Sequence, residues 1–155
     1  MGNCSFGVSC DYTKPAAEAA RIVIAEMNDQ MPYIGGDNFI HVSQIDYIVP
    51  CSNPLPEVPP AKTGAVEEAI GRYCAELVED GSTLQLGIGA IPDAVLKCLS
   101  DKKDLGLHTE MFADGAIDLI ERGVINGSRK TLHPGKHVAT FLMGSRRFYD
   151  FVNNN

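Results

Sequence analysis

Long hydrophobic stretches are missing from this sequence of 155 residues. No apolar run approaches the roughly 18 residues that a membrane-spanning helix needs. The first residues, Met1 to Cys4, carry no basic side chain and lead into no hydrophobic segment, so they do not resemble a secretory signal. Position six is Phe6, whereas an N-myristoylation site has serine or threonine there. We therefore expect a cytoplasmic protein without a membrane partner.

An excess of positive charge is also missing. The sequence contains 13 Lys and Arg against 20 Asp and Glu, which gives a formal net charge of −7. Proteins that bind nucleic acids or anionic membranes need a basic face, so this balance argues against both classes of partner. It does not exclude a small anionic ligand held by backbone amides, because those amides add no net charge.

The usual cysteine, metal and nucleotide motifs are missing as well. The five cysteines are odd in number, widely spaced and without a CxxC pair, so we interpret them as reduced thiols. Two of them, Cys74 and Cys98, fall on apolar faces of predicted helices. No HExxH or Walker spacing occurs, and we predict neither a metal ion nor a nucleoside triphosphate site.

What the sequence does contain is globular composition, with 45% apolar and 21% charged residues. Its length suits one domain or pieces of two. Five of the nine prolines fall within residues 50–60, and such a cluster is typical of an extended linker. We therefore predict a domain boundary there, which separates residues 1–60 from residues 61–155.

The segment before the linker predicts three elements. Residues 3–10 are small and weakly apolar, which suits a buried strand. Residues 16–27 are apolar nearly all round and predict a helix deep between layers. Residues 39–49 predict a strand whose broken alternation indicates a bulge or two shorter pieces. Its inward candidates are Ile40, Val42, Ile45 and Ile48.

After the linker the pattern alternates regularly between helix and strand. Helices are predicted from Val66 to Val78, from Pro92, over 114–122 and from Ser145. Strands are predicted over 83–88, 105–112 and 137–142. Repeats of this length build an α/β fold with an open, mainly parallel sheet flanked by helices.

A glycine-rich turn follows the predicted strand 83–88. Gly87 and Gly89 let the backbone approach a ligand closely, and Pro92 begins a helix whose free N–H groups point back at them. Such a turn suits a phosphate or the oxyanion of an acyl-transfer intermediate. The third glycine of the dinucleotide-binding fingerprint is absent, and Asp93 adds a negative charge. The turn alone is equally compatible with a strand-to-helix connection that binds nothing.

The second candidate is Glu110, near the end of the predicted strand 105–112. In open parallel sheets, ligands bind at the carboxyl ends of the strands, and Glu110 lies one strand–helix–strand step after Gly87. A carboxylate beside an anion-stabilising turn suits attack on a carbonyl. Alternatively, Glu110 caps the following helix. His108 shares its strand face and either packs in the core or tunes the carboxylate.

These segments together resemble the acetyl-CoA hydrolase/transferase branch of the family I CoA-transferases, above all its 4-hydroxybutyrate and butyryl-CoA:acetate members. The resemblance runs through nearly the whole chain. It is carried in order by Gly7-Val8-Ser9, Lys14-Pro15-Ala16, Phe39-Ile40-His41-Val42-Ser43, the segment from Asp80 to Pro92, His108-Thr109-Glu110-Met111, and Ala139-Thr140-Phe141-Leu142-Met143-Gly144.

The resemblance implies a function and a site. Glu110 occupies the position of the catalytic glutamate, which attacks an acyl-CoA thioester and becomes a glutamyl-CoA thioester in a ping-pong reaction. Gly87, Ile88, Gly89, Ala90 and Ile91 match the loop that binds CoA and stabilises the oxyanion. Coenzyme A is then a substrate, no cofactor is bound permanently, and a short-chain carboxylate (acetate, butyrate or 4-hydroxybutyrate) is the acceptor. Homo-oligomerisation is left open.

The resemblance also implies that the chain is a fragment. Family members are much longer and have two similar α/β domains with the active site between them. Residues 1–60 match the end of the N-terminal domain with its proline-rich linker, and residues 61–155 match the first half of the C-terminal catalytic domain. Part of the CoA pocket is then outside the chain, and we expect these residues to be inactive alone.

Two other functions remain as alternatives. An acyl-CoA hydrolase would use the same glutamate, with water instead of a second carboxylate. A non-catalytic α/β module would bind a nucleotide-like ligand through Gly87–Ile91.

The remaining histidines and one basic pair have structural interpretations. We interpret His41 as structural, because no other metal ligand lies near it in the sequence. His133 and His137 flank a Pro-Gly turn and are expected to face solvent. Arg129 and Lys130 are expected to be an exposed basic pair, with CoA phosphates as the alternative partner.

Overall fold

Within its described residues, this α/β chain forms three small sheets flanked by helices. The computed structural model describes residues 2–59, 61–112 and 114–155. In chain order, its elements are β1 (Asn3–Ser5), α1 (Thr13–Ala19), β2 (Ile24–Asn28), β3 (Phe39–His41), β4 (Tyr47–Cys51), α2 (Ala65–Glu76), β5 (Thr83–Leu84), α3 (Ala90–Lys97), β6 (Gly106–Phe112), α4 (Ile117–Glu121), β7 (Val138–Leu142) and α5 (Arg146–Val152).

The mainly parallel pairing predicted from the sequence is confirmed. Strands β5, β6 and β7 form a parallel three-stranded sheet with β6 in the centre. Strands β2 and β4 form a parallel pair, and β1 pairs antiparallel with β3.

The main core lies around β6. Its largest fully buried side chains are Phe148, Leu99, Leu105, Leu107, Ile117 and Ile125. Helices α2 and α3 pack closely because of Gly71, where a Cβ atom would lie 2.7 Å from the carbonyl oxygen of Ala94. The helices predicted after the linker are all present, as are the last two strands. The strand predicted over 83–88 is shorter, because regular pairing of β5 ends at Leu84.

The prediction of a deep helix over residues 16–27 is wrong. Helix α1 ends at Ala19 and has no buried residue, and Ala20 is already extended at φ −73° and ψ 145°. Residues Ile24–Asn28 instead form β2, which pairs in parallel with β4. The β-branched residues Ile22, Val23 and Ile24 favour extended backbone, and a partner strand further along the chain completes the pairing.

The strand predicted over residues 39–49 consists of two pieces, as one of the alternatives expected. A 3-10 turn at Val42–Gln44 separates β3 from β4. Of the inward candidates, Ile40 is buried, but Val42 and Ile48 are exposed. Val42 lies in the 3-10 turn, outside both strands. Ile48 is exposed because the β2–β4 pair is open on both faces: Ile24 and Ile48 point to opposite sides, and both are exposed.

The proline-rich segment is partly structured. Pro50 belongs to β4, an edge position that tolerates proline, so the extended segment begins after Cys51. It lies against α5: Tyr149 donates from its hydroxyl to the Pro56 carbonyl at 2.7 Å, and the N–H of Val58 donates to the Gly144 carbonyl at 3.1 Å. The boundary residue, Pro60, lies outside the described residues.

Two side chains expected at the surface are buried or half-buried. The Lys130 ammonium donates to the carbonyls of Leu107 at 3.0 Å and Lys136 at 2.6 Å, and the residue is 6% exposed. Burial lowers the pKa of Lys130. His137 is half-buried, and its Nδ1 atom has no hydrogen-bond partner within the described part of the chain. Burial, and then the charge of Lys130, lower the pKa of His137.

The attachment of α5 to the end of β6 gives a first testable prediction. The Asp114 carboxylate accepts hydrogen bonds from both the hydroxyl and the N–H of Ser145, the N-cap of α5; the second is 2.7 Å long. Replacing Asp114 by alanine leaves both donors without this acceptor, so we expect Asp114→Ala to lower the free energy of unfolding by about 1–2 kcal/mol. Urea denaturation measures the change.

Asp118 provides the matched control for that experiment. It also contacts the first turn of α5, at 2.8 Å from Arg147, but the pair is exposed. We expect Asp118→Ala to cost less than about 0.5 kcal/mol. Equal losses in the two variants would show that Asp114 does not anchor the helix.

His137 makes stability depend on pH. Its folded pKa lies below the unfolded value of 6.5, so the unfolded state binds a proton more readily as the pH falls through 6.5. The free energy of unfolding of the wild-type protein should therefore decrease below that pH. The decrease should be smaller in the His137→Gln variant. Urea denaturation at about pH 7 and about pH 5.5 tests this. The exposed His133 serves as control, and a His133→Asn variant that matches His137→Gln would contradict the assignment.

Candidate functional site

The carboxylate of Glu110 lies on the exposed face of the central strand. Alternation along β6 buries Leu107 and Thr109 on one face and exposes His108 and Glu110 on the other. On the β7 side, the hydroxyl of Thr140 donates to the Glu110 carbonyl oxygen at 2.9 Å. Within the described residues, the Glu110 side chain has no hydrogen-bond or ion-pair partner, so no helix-capping contact is seen there. The carboxylate is open to an incoming molecule.

The glycine-rich loop before α3 presents unpaired backbone donors. Gly89 is the N-cap of α3 and has a φ of +116°, a backbone angle that residues other than glycine rarely adopt. The N–H groups of Ile88, Gly89, Ala90 and Ile91 have no acceptor in the described ranges 2–59, 61–112 and 114–155. Ile88 and Ile91 are exposed beside them. Free amides at a helix N-terminus attract anions.

The register of the sheet places the loop beside Glu110. Thr83 pairs with Gly106 and Leu84 with Leu107, so the same register continued brings Gly87 level with Glu110. Beyond the ladder, the Thr109 side chain keeps that register: its Oγ1 accepts from the N–H of Leu86 at 3.1 Å and lies 2.8 Å from the Leu86 carbonyl oxygen. The loop and Glu110 thus occupy neighbouring positions at one sheet edge.

A narrow recess lies under the loop. It is lined by Leu86, Gly87, Asp93, Leu96, Leu107, Met111, Phe112, Gly115 and Ala116. Its walls are mostly apolar, and Asp93 lies against Gly115, since a Cβ on Gly115 would be 3.0 Å from the Asp93 carboxylate. Asp93 is the one charged side chain in this lining.

The histidines occupy different environments. His108 is exposed on the same face as Glu110, so of its two expected roles the packed one is wrong. His41 is structural, as expected: its Nδ1 accepts from the N–H of Ser43 at 3.2 Å and caps the 3-10 turn. His133 is exposed, as expected, at a φ of +52°.

The basic pair Arg129–Lys130 is not free at this edge. Lys130 is buried against carbonyl oxygens. Arg129 donates to the Asp80 carbonyl at 3.1 Å and covers Gly81, whose added Cβ would lie 2.7 Å from the guanidinium. In the described part of the chain, the loop amides are therefore better placed than this pair to meet an anion beside Glu110.

The described residues show neither a metal-binding cluster nor a membrane-spanning helix. They contain no group of three or more His, Cys, Asp or Glu side chains placed to hold a metal ion. They contain no helix long and apolar enough to cross a membrane. All five cysteines are unpaired and half-buried.

The sequence reasoning missed the threonines around the site. Thr109 connects β6 to Leu86, the residue before the glycine-rich loop, and Thr140 donates a hydrogen bond to the Glu110 carbonyl oxygen. Their positions directly before Glu110 and on the next predicted strand were the available signals, but a threonine on a strand usually reflects strand preference alone.

Comparison with known proteins relates the chain to CoA-transferases. Residues 1–59 match the family model described as the acetyl-CoA hydrolase/transferase N-terminal domain. The chain is 66% identical over 154 residues to a 4-hydroxybutyrate coenzyme A transferase of Clostridium kluyveri. It is 49% identical over 152 residues to a succinyl-CoA:cyclohexane-1-carboxylate CoA transferase of Geobacter metallireducens. These alignments cover 99% and 98% of this chain but only 36% and 34% of the relatives' lengths.

The solved structures agree with this. A 4-hydroxybutyrate CoA-transferase from Porphyromonas gingivalis superposes with a TM-score of 0.96 at 58% identity, over 99% of this chain and 39% of that one. The same α/β arrangement is therefore present in a longer enzyme. The chain is homologous to CoA-transferases, and its residues 1–59 match the acetyl-CoA hydrolase/transferase family.

Proposed function

We propose that Glu110 is the nucleophile of a CoA-transferase that moves CoA from an acyl-CoA to a short-chain carboxylate: acetate, butyrate or 4-hydroxybutyrate. The observation that carries the proposal is the exposed carboxylate of Glu110, which lies at the same sheet edge as the amides of residues 88–91. Among the described residues, neither the carboxylate nor these amides have a hydrogen-bond partner. Identities of 66% to a 4-hydroxybutyrate coenzyme A transferase and 36% to a butyryl-CoA:acetate CoA-transferase support both the reaction class and these acids.

The reaction begins when a Glu110 carboxylate oxygen attacks the thioester carbonyl carbon. The carbonyl electrons move to oxygen, and the N–H groups of Gly87–Ile91 stabilise this oxyanion. Collapse breaks the C–S bond, so the thiolate of CoA leaves and a mixed anhydride forms on Glu110. The thiolate then attacks the glutamyl carbonyl carbon, which releases the first carboxylic acid as its anion and leaves a glutamyl-CoA thioester.

A second carboxylate completes the cycle by the same steps in reverse. This carboxylate attacks the glutamyl carbonyl carbon and displaces the thiolate of CoA, which gives a second mixed anhydride. The thiolate then attacks the acyl carbonyl carbon of the second acid, so that the new acyl-CoA forms and the Glu110 carboxylate is regenerated. The kinetics are ping-pong, because the first acid leaves before the second reacts. A carboxylate nucleophile suits this exchange, since anhydrides and thioesters have comparable group-transfer potential, whereas a serine ester would be too stable to pass CoA onward.

We place this activity in the complete translated protein that contains the chain. The chain spans 36% of the length of its relative from Clostridium kluyveri. A CoA molecule is far larger than the recess under the loop, so further walls are needed to bind it. We propose that the 155 residues alone are inactive.

A hydrolase is the second candidate function, and the family model is named for both activities. Water would then attack the glutamyl-CoA thioester in place of a second carboxylate. Incubating the complete protein with butyryl-CoA, with and without acetate, separates the two. Formation of acetyl-CoA identifies a transferase, whereas release of free CoA at the same rate with or without acetate identifies a hydrolase.

Replacing the nucleophile tests the proposal directly. We expect Glu110→Ala to lower CoA transfer by at least about 1,000-fold, because no covalent intermediate can form. Intact-mass spectrometry after addition of butyryl-CoA should show a CoA adduct on the wild-type protein and none on the variant. The exposed Glu68 of α2 gives a control, Glu68→Gln, that should behave as wild type. Turnover retained in Glu110→Ala would mean that another residue is the nucleophile.

The loop geometry is tested separately through Gly89. An added methyl group meets no atom within 4 Å, so Gly89→Ala changes only the backbone preference at φ +116°. We expect kcat/KM to fall about 10- to 100-fold as the amides move away from the oxyanion.

Gly123 is the matched control, because it also has a positive φ, +75°, and open space around it. It follows α4, at the other end of the sheet. Comparable losses of kcat/KM in Gly89→Ala and Gly123→Ala would assign the effect to general strain rather than to the oxyanion loop.

A further inference from the structure

The hydroxyl of Thr109 holds together the two backbone segments that carry the proposed chemistry. Thr109 is only 4% exposed and lies on the face of β6 opposite Glu110. Its Oγ1 accepts from the N–H of Leu86 at 3.1 Å. Its proton faces the carbonyl oxygens of Leu86 at 2.8 Å and Met111 at 3.0 Å. Leu86 directly precedes the glycine-rich loop, and Met111 directly follows Glu110.

This contact replaces a missing piece of sheet. Regular pairing between β5 and β6 ends at Leu84 and Leu107. Two residues later, the N–H and C=O of Leu86 still face β6, but their partner is the Thr109 side chain rather than its backbone. A buried backbone donor without a partner costs about 1–3 kcal/mol, so the hydroxyl fixes where Leu86 can lie.

We propose that Thr109 is a positioning residue, whose hydroxyl sets the distance between Glu110 and the amides of residues 87–91. The proposal rests on the proposed function of Glu110. Stabilisation of an oxyanion requires donors about 2.7–3.1 Å from the developing charge. A displacement of about 1 Å can cost about 100-fold in rate. Without the hydroxyl, Leu86 loses its tether and the loop moves relative to the carboxylate.

A purely structural role would have a different signature. If Thr109 only filled space in the core, valine would replace it well, since the two side chains have the same shape and valine is the more apolar. Serine would then be the poorer substitute, because it lacks the methyl group and leaves a void. The positioning role predicts the opposite order, because serine keeps the hydroxyl and valine does not.

The experiment compares three variants of the complete translated protein: Thr109→Val, Thr109→Ser and the control Thr83→Val. Thr83 is exposed at the start of β5 and makes no side-chain hydrogen bond within the described residues. Rapid mixing with butyryl-CoA, acid quenching and intact-mass spectrometry give the rate of adduct formation on Glu110. Steady-state kinetics give kcat and KM.

We expect Thr109→Val to slow adduct formation and kcat about 10- to 100-fold, with KM changed less. In Thr109→Ser, both rates should remain within about threefold of the wild type. The control Thr83→Val should have the wild-type rates. Adduct formation at the wild-type rate in Thr109→Val would overturn the proposal. A Thr109→Ser variant slowed about 10-fold or more relative to the wild type would also overturn it, and this arm remains informative if Thr109→Val does not fold.

The two hypotheses fail in different ways. A wild-type protein that forms no adduct on Glu110 overturns the proposed function and the role of Thr109 with it. A wild-type protein that forms the adduct, together with a Thr109→Val variant equally fast, overturns the role of Thr109 alone.

Discussion

The register of β6 between β5 and β7 is the constraint on which the rest of the site depends. Side chains alternate along a strand, so burial of Leu107 and Thr109 directs His108 and Glu110 to the opposite, exposed face. A slip of one residue would bury the carboxylate and expose the core side chains. The parallel pairing with β7 from His108 to Phe112 and the side-chain contact of Thr109 with Leu86 both resist that slip.

The electrostatics of this edge depend on the backbone more than on charged side chains. The chain has a net charge of −7, and the basic pair that the sequence offered near the site is occupied elsewhere. Lys130 stabilises buried carbonyls under β6, and Arg129 covers Gly81. Under the proposed function, attraction of an anion next to Glu110 would therefore fall to the amides at the start of α3, which act at short range and leave the overall charge unchanged.

The sequence predicted the second half of the chain well because its signals there are local. Amphipathic spacing, turn glycines and a serine cap identified α2, α4 and α5, and the rule that parallel strands present ligands at their carboxyl ends placed Glu110 near the glycine-rich loop. In the first half the helix predicted over residues 16–27 was wrong. An apolar run of Ala and Ile suits a helix or a strand, and β2 forms through pairing with the distant β4.

The environments of Lys130, His137 and Thr109 could not be read from the sequence for a related reason. Each depends on carbonyl oxygens or on charges that other segments supply: Leu107 and Lys136 for Lys130, Lys130 for His137, and Leu86 for Thr109. A lysine next to an arginine usually reads as an exposed pair, and a threonine on a strand as a strand former. Only the folded chain shows which polar atoms are left for them to satisfy.

The proposed function gives a reason why strand β5 is short. If its pairing with β6 continued past Leu84, every second amide of the following residues would donate to β6. They would then be unable to stabilise an oxyanion. The chain instead leaves the sheet early, and one side-chain hydroxyl on β6 secures Leu86 at the point of departure. A two-residue strand and a buried threonine are thus parts of one solution, in which the loop stays in register with Glu110 while its N–H groups remain free.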